Sequence, residues 1–161
     1  MGIIGMGNIG TRVAKVAQAF GMNVVYYSTS GTSHCTEYPS LSLDELLSCS
    51  DVVSIHAPLN ERTMNLIGEA ELGKMKASAV LLNLGRGGIV DETALAKAVD
   101  EGTIAGACLD VYTVEPLPEN SPLMHLRHPE RFSFSPHSAW ASREALLRLV
   151  AGVAKNIREN A

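Results

Sequence analysis

Short apolar runs alternate with amphipathic, helix-length stretches along almost the whole chain, and this alternation restricts the possible folds more than any other feature. The runs are Ile3-Ile4, Val24 to Tyr27, Val52 to Ile55, Val80 to Leu84, Ile104 to Leu109 and Phe132 to Phe134. Between the first two, Ile9, Val13, Val16, Ala17 and Phe20 recur at three- and four-residue steps. That spacing predicts one helix face, with Gly21 placed to end the helix. Similar stripes occupy Leu43 to Leu47, Glu69 to Met75 and Asp91 to Val99, with Asp91 as a candidate N-cap and Gly102 as a candidate stop. Strands separated by helices run parallel through right-handed crossovers. Near-continuous apolar strands such as "AVLLNL" suit a sheet covered on both faces. The expected fold is a single-domain, three-layer α/β/α doubly wound parallel sheet. Asp110 to Arg131, rich in proline, is longer than an ordinary connection and is therefore read as functional or disordered.

Composition narrows the function classes. A chain of 161 residues suits one core, and 46% hydrophobic against 19% charged residues gives it enough apolar surface to bury. The net charge of -4, with Lys and Arg scattered, leaves no basic stripe for nucleic acid. Cys35, Cys49 and Cys108 are far apart and odd in number, which argues against a disulfide framework or a zinc site and favours the cytoplasm. The first apolar run is broken by Gly2, Gly5, Gly7 and Gly10 and has no basic flank, so it reads as neither signal peptide nor membrane span. The first strand begins almost at Met1, and the last helical stripe (Leu146, Leu149, Val150, Val153, Ile157) runs out with no C-cap signal. Residues 1–161 are accordingly expected to be one domain cut from a longer chain.

"GMGNIG", Gly5 to Gly10, matches G-x-G-x-x-G between an expected strand and an expected helix, the context in which the pattern marks a dinucleotide site. Gly5 permits the tight turn, Gly7 lets a pyrophosphate approach the backbone, and Gly10 lets helix and strand pack closely. Free N–H groups around Asn8 and Ile9 would meet the phosphates. This gives a Rossmann-like cofactor site; the competing reading is an ordinary tight turn. An acid that grips both ribose hydroxyls should close the second strand, about 20 residues on. Ser28 stands there, followed by Thr29 and Ser30. Nothing in this stretch repels a 2′-phosphate, and the hydroxyls can donate to one. No Arg or Lys follows within reach in the sequence, and His34, the nearest candidate cation, is of a type mostly neutral at pH 7. Both NAD and NADP therefore stay open.

Three strand ends supply chemistry. "NLGRGGIVDE" sets Arg86 at the carboxyl end of the fourth strand, where ligands of open α/β sheets bind, and a planar guanidinium suits a carboxylate substrate. The alternative is a loop arginine paired with Asp91. "LDVYTVEP" sets Asp110 and Glu115 just past strand five, and "SPHSAW" sets His137 just past strand six. A lone histidine is more often structural; one with a carboxylate partner at a cofactor crevice is the stronger catalytic candidate.

At these residues the chain resembles the D-isomer-specific 2-hydroxyacid dehydrogenase family. "GIIGMGNIG", "SIHAPLNERT", "LLNLGRGGIVDE", "GACLDVYTVEP" and "SPHSAW" are similar to the signatures of its cofactor domain, in the family's order. The resemblance implies hydride transfer between NAD(P)H and a small 2-oxo or 2-hydroxy acid. It further implies that Arg86 holds the substrate carboxylate and carbonyl, that His137 exchanges the proton, and that Glu115 supports His137. Asp110 would face the nicotinamide. Ala57 and Pro58 would line its ribose side, Leu84 and Gly85 would also contact the cofactor, and Trp140 would wall the pocket. The tone of the motifs is nearest the glycerate dehydrogenase or hydroxypyruvate reductase type. Family members carry a second, substrate-binding domain and pair as dimers through the cofactor domain, so this chain alone is expected to bind cofactor and turn over slowly or not at all. Ser28, where NAD-using members usually carry an aspartate, departs from the pattern.

Two other classes compete. One is a nucleotide-binding sensor or corepressor, against which the complete Arg86, Glu115 and His137 set argues. The other is metal-dependent hydrolysis through His125 and His128, which lacks a third ligand at metal-like spacing, so no metal is expected.

Overall fold

Each expected run forms a strand: β1 (Gly2–Ile4), β2 (Val25–Tyr27), β3 (Val52–Ile55), β4 (Val80–Asn83), β5 (Gly106–Leu109) and β6 (Phe132–Phe134). In the computed structural model, which describes residues 1–32 and 35–160, all six pair in parallel in the order β2-β1-β3-β4-β5-β6. Ile3 lies between Tyr26 of β2 and Ser54 of β3, which fixes the register at the centre of the switch in strand order. The fold is the Rossmann-like α/β sheet expected.

Successive strand residues point to opposite faces. Ile4, Val53, Ile55, Leu81 and Leu109 pack into the larger core, beneath the helices α2 (Leu43–Cys49), α3 (Glu69–Leu72) and α4 (Glu92–Glu101), which contribute Leu46, Leu47, Leu72, Leu95 and Val99. Ile3 turns the other way, into a smaller cluster with Tyr26, Tyr38 and the helix α1 (Asn8–Ala19). Burying each such side chain contributes about 1.5–3 kcal/mol.

α1 buries only part of the face that its apolar spacing predicted, Ala17 fully and Val13 partly. Gly10, Ala14 and Ala17 meet the sheet, while Ile9, Val16 and Phe20 are 64%, 57% and 84% exposed. The cause is close approach: any side chain at Gly10 would overlap the Gly5 carbonyl, so only small residues fit beneath this helix. α2 begins with a capping box, in which Glu45 N–H donates to Ser42 Oγ and Ser42 N–H to Glu45 Oε2. α3 is a single turn, shorter than the Glu69 to Met75 stripe. α4 starts and stops as expected: Asp91 accepts from the N–H groups of Thr93 and Ala94, and Gly102 adopts φ +73°.

The 110–131 segment is tied to the core. Leu123 is buried, the Tyr112 hydroxyl bonds the carbonyls of Leu109 and Ser135, and Asp100 accepts from the N–H groups of Arg127 and His128. The last helix, α5 (Arg143–Asn160), leaves Leu146, Leu149, Val150, Val153 and Ile157 exposed. No helix among the described residues is long and apolar enough to cross a membrane.

Candidate cofactor groove and catalytic pair

The strand order reverses at β1: the chain passes to β2 on one side and returns to β3 on the other, and ligands of open α/β sheets bind at such a point. Two adjoining cavities of about 290 and 550 Å³, sharing His56 and Pro58, form a groove there along the carboxyl ends of the strands. The first is lined by Gly5, Gly7, Ser28, Thr29 and Ser30, and the second by Ile9, Ala57, Leu84, Gly85 and Arg86. Asn8 opens α1 beside them, and Gly10 sits beneath, serving the helix–sheet contact.

The glycine turn has a part that packing does not explain. Gly5 has φ +94°, and a Cβ there would come within 2.8 Å of Ala57 N, so only glycine fits. Gly7 has an ordinary φ of -88°, and a Cβ on it would meet nothing within 4 Å. The open space above Gly7 borders a helix N-terminus with no side-chain cap and no acid in its first turn. Unsatisfied N–H groups there suit an anion, so the cradle fits a dinucleotide pyrophosphate.

His56, overlooked in the sequence reading, lies where the two cavities meet, with Nε2 2.9 Å from Ser54 Oγ. Burial pushes its pKa down, so it is neutral at pH 7 and adds no charge to the groove. At the β2 end, Ser28 Oγ donates to the Thr32 carbonyl at 2.6 Å and Ser30 Oγ to the same carbonyl at 3.1 Å. A cation also reaches this loop, contrary to the sequence reading: Arg62 Nη1 donates to the Ser30 carbonyl at 2.9 Å from the connection after β3. His34 lies outside the described residues.

Beyond the groove, His137 Nδ1 is 2.7 Å from Glu115 Oε2, while Glu115 Oε1 accepts from Tyr112 N–H at 3.0 Å. The His137 contact, then the Tyr112 N–H, holds the Glu115 carboxyl below the usual carboxylate range. An ionised carboxylate only accepts, so Nδ1 carries the proton and Nε2 is left for other chemistry. His137 adopts φ +49°, a left-handed conformation that a side-chain-bearing residue keeps only where its surroundings enforce it.

The enforcing group is Asp110, the residue expected to face the nicotinamide. Asp110 is 2% exposed; Oδ1 accepts from Ser135 Oγ at 2.6 Å and Ser138 N at 2.9 Å, and Oδ2 accepts from Ala139 N at 2.9 Å. Burial works against its charge, but the bonds from Ser135, Ala139 and Ser138 prevail and hold its pKa below the ordinary value. Its carboxylate grips the loop on both sides of His137 because both oxygens are taken up by that loop. A cavity of about 380 Å³ opens at the pair, walled by Tyr112, Leu117, Met124, Phe134 and Pro136. Trp140, expected to wall the pocket, is 53% exposed and lines none of these cavities.

Arg86 is not paired with Asp91, which caps α4; its Nη1 donates to the Gly85 carbonyl at 2.8 Å. Asn83 braces the turn, donating to the Arg86 carbonyl and accepting from Gly85 N–H. Among the described residues no bond joins Arg86 to Glu115 or His137, although the three stand past the adjacent strands β4, β5 and β6. Gly87 sets their loops together, since any side chain on it would overlap the Tyr112 carbonyl. His125 and His128 each have a nearby partner, the Glu119 carbonyl and the Glu130 carboxylate, and no metal-holding group of three occurs among the described residues.

Comparison with known proteins gives a consistent picture. Residues 1–139 match the family profile described as "D-isomer specific 2-hydroxyacid dehydrogenase, NAD binding domain". A glyoxylate reductase of Aeropyrum pernix is 47% identical over 98% of this chain and 47% of its own length. A glycerate dehydrogenase of Methylorubrum extorquens is 40% identical over 98% of this chain and 48% of its own. A Rhizobium etli protein named "Probable 2-hydroxyacid dehydrogenase", solved in complex with NADP and L(+)-tartaric acid, superposes with a TM-score of 0.79 at 30% identity over 99% of this chain and 52% of that one. The chain spans about half the length of the curated relatives it matches.

Proposed function

The chain belongs to the D-isomer specific 2-hydroxyacid dehydrogenases, and on that premise we propose that it is the cofactor-binding part of an oxidoreductase acting on a small 2-oxo or 2-hydroxy acid. The observation that carries this reading is the His137–Glu115 pair, 2.7 Å apart at the carboxyl edge of the sheet. A nicotinamide cofactor, when bound, supplies or accepts the hydride. Gly5, Gly7, Asn8, Ile9 and Gly10 form the pyrophosphate turn, Ser28 to Ser30 the adenosine end, and Ala57, Pro58, Leu84 and Gly85 the nicotinamide end. Arg86 binds the substrate carboxylate with its planar fork and polarises the carbonyl beside it. His137 gives a proton from Nε2 to the carbonyl oxygen in reduction and takes it back in oxidation, while Glu115 fixes the ring through Nδ1. Asp110 is a positioning residue that keeps His137 in place.

Relatives named glyoxylate reductase and glycerate dehydrogenase support a two- or three-carbon 2-oxo acid as substrate. A flanking substrate-binding domain, a cytoplasmic location and pairing of two copies belong to the same reading, supported by the family alone. Titration of the 161-residue chain with NADH, followed by nicotinamide fluorescence, tests the cofactor part. Saturable binding that weakens at least about tenfold in Gly7→Ala is expected, because one buried steric or hydrogen-bond defect of about 1.4 kcal/mol is a factor of ten. Binding indifferent to that substitution would remove the glycine turn from the site.

A further inference from the structure

We propose that Arg62 selects NADP(H) over NAD(H) by supplying the positive charge for the adenosine 2′-phosphate; this rests on the cofactor reading above and names the form of cofactor. In the order β2-β1-β3, the loops after β2 and β3 flank the glycine turn of β1 from opposite sides. A side chain 32 residues from Ser30 in sequence is thereby its neighbour, with Arg62 Nη1 2.9 Å from the Ser30 carbonyl. The same nitrogen stands 3.8 Å from where a side chain on Gly31 would begin, so the guanidinium lies against the loop at ordinary van der Waals distance.

The backbone that carries Arg62 is held in place. Arg62 N–H donates to Asn60 Oδ1 at 2.9 Å, and the buried Thr63 hydroxyl donates to the Pro58 carbonyl at 2.7 Å while accepting from Asn60 N–H at 2.9 Å. Pro58 and Asn60 themselves line the adenosine end of the groove. A guanidinium has five N–H donors, and the bond to Ser30 uses one. No carboxylate forms an ion pair with Arg62 among the described residues.

The serines do not do this work unaided. Each hydroxyl has one proton, and those of Ser28 and Ser30 go to the Thr32 carbonyl. A 2′-phosphate entering the loop therefore finds its strongest donor in Arg62. A 2′-hydroxyl finds no carboxylate to accept from it, because Ser28 occupies the strand end where an acid would stand. Both differences favour the phosphorylated cofactor.

The test is parallel titration of the 161-residue chain and its Arg62→Ala and Arg62→Lys variants. NADPH and NADH are read by nicotinamide fluorescence, and 2′,5′-ADP and 5′-AMP by calorimetry. The expected result is a wild-type preference for NADPH and 2′,5′-ADP. Arg62→Ala should weaken these two by about tenfold or more, as loss of a charge-assisted bond predicts, and leave NADH and 5′-AMP within about twofold. Arg62→Lys should keep part of the preference, since it keeps the charge and loses the fork. Arg62 is exposed, so melting curves of all three proteins should coincide. Equal losses for NADH and NADPH would overturn the proposal, reducing Arg62 to a brace for the Ser28–Thr32 loop, as would a wild type without preference. If NADH binds and only the discrimination is missing, the inference fails alone; if neither cofactor binds, the cofactor reading fails with it.

Discussion

Asp110→Asn tests whether the Asp110 carboxylate anchors the loop that carries His137. The replacement is isosteric, so it creates no cavity, but it turns one acceptor into an NH₂ group that cannot receive both kinds of bond the aspartate receives. If Oδ1 keeps its bonds from Ser135 and Ser138, the new amide nitrogen faces Ala139 N–H, donor against donor. The orphaned N–H costs about 1–3 kcal/mol, and weakening two charge-assisted bonds to neutral ones costs about 1 kcal/mol each, so the loss is about 3–5 kcal/mol. Against a total stability of about 5–15 kcal/mol, and at about 2–4 °C per kcal/mol for a chain of this size, the melting temperature should fall by roughly 6–20 °C. The sign of the pH dependence follows from the lowered pKa of Asp110. Its stabilising effect is fully present above the unfolded carboxyl value of about 3.9 and is lost as pH falls through the lower, folded-state value. The gap between wild type and Asp110→Asn, followed by circular dichroism, should be constant from pH 7 to about pH 5 and close in stronger acid. A variant that melts within about 1 °C of wild type at pH 7 would refute the anchoring role, given the expected shift per kcal/mol. So would a gap that persists undiminished to the lowest pH at which the fold survives.

The two glycines of the turn should respond differently. Gly10→Ala should destabilise by about 1–3 kcal/mol in a urea melt, because the methyl group strikes the Gly5 carbonyl. Gly7→Ala should stay within about 0.5 kcal/mol of wild type in the same melt, its methyl group meeting only open space. Nitrogen-15 spectra of the histidine rings should show neutral His137 protonated at Nδ1, with Glu115→Gln eroding that preference because an amide can also donate to the ring. A His137 tautomer indifferent to Glu115→Gln would break the link between the pair.

Local patterns carried the strands. Each of the six runs became a strand with bounds that moved by one residue or so, except that Ile104 and Ala105 precede β5 (Gly106–Leu109). Asp91 and Gly102 were legible because capping is a local matter of one side chain and one φ angle. The buried face of α1 was legible only in part, because apolar spacing favours large residues, whereas the distance between α1 and β1 is set by Gly10 and admits only small ones at closest approach. The site divides along the same line. Residues directly past a strand, such as Arg86, Glu115 and His137, could be placed from the strand pattern alone. The anchoring role of Asp110 and the reach of Arg62 could not, since both depend on which loops become neighbours across the sheet. No spacing within "VVYYSTSG" reveals that an arginine after another strand leans on its serine carbonyl.

Gly87 bears no chemistry, yet its α-carbon rests against the Tyr112 carbonyl where a methyl group has no room. The loop holding Arg86 and the loop holding Glu115 are thus gauged by peptide plane against peptide plane, a contact that yields far less than interlocking side chains do. Sequence drift in either loop can exchange side chains without altering the gauge. An added methyl at this one position would instead wedge the loops apart, and a misplacement of about 1 Å between reacting groups is worth about a hundredfold in rate. The tolerance of the proposed machinery is set where an atom is missing.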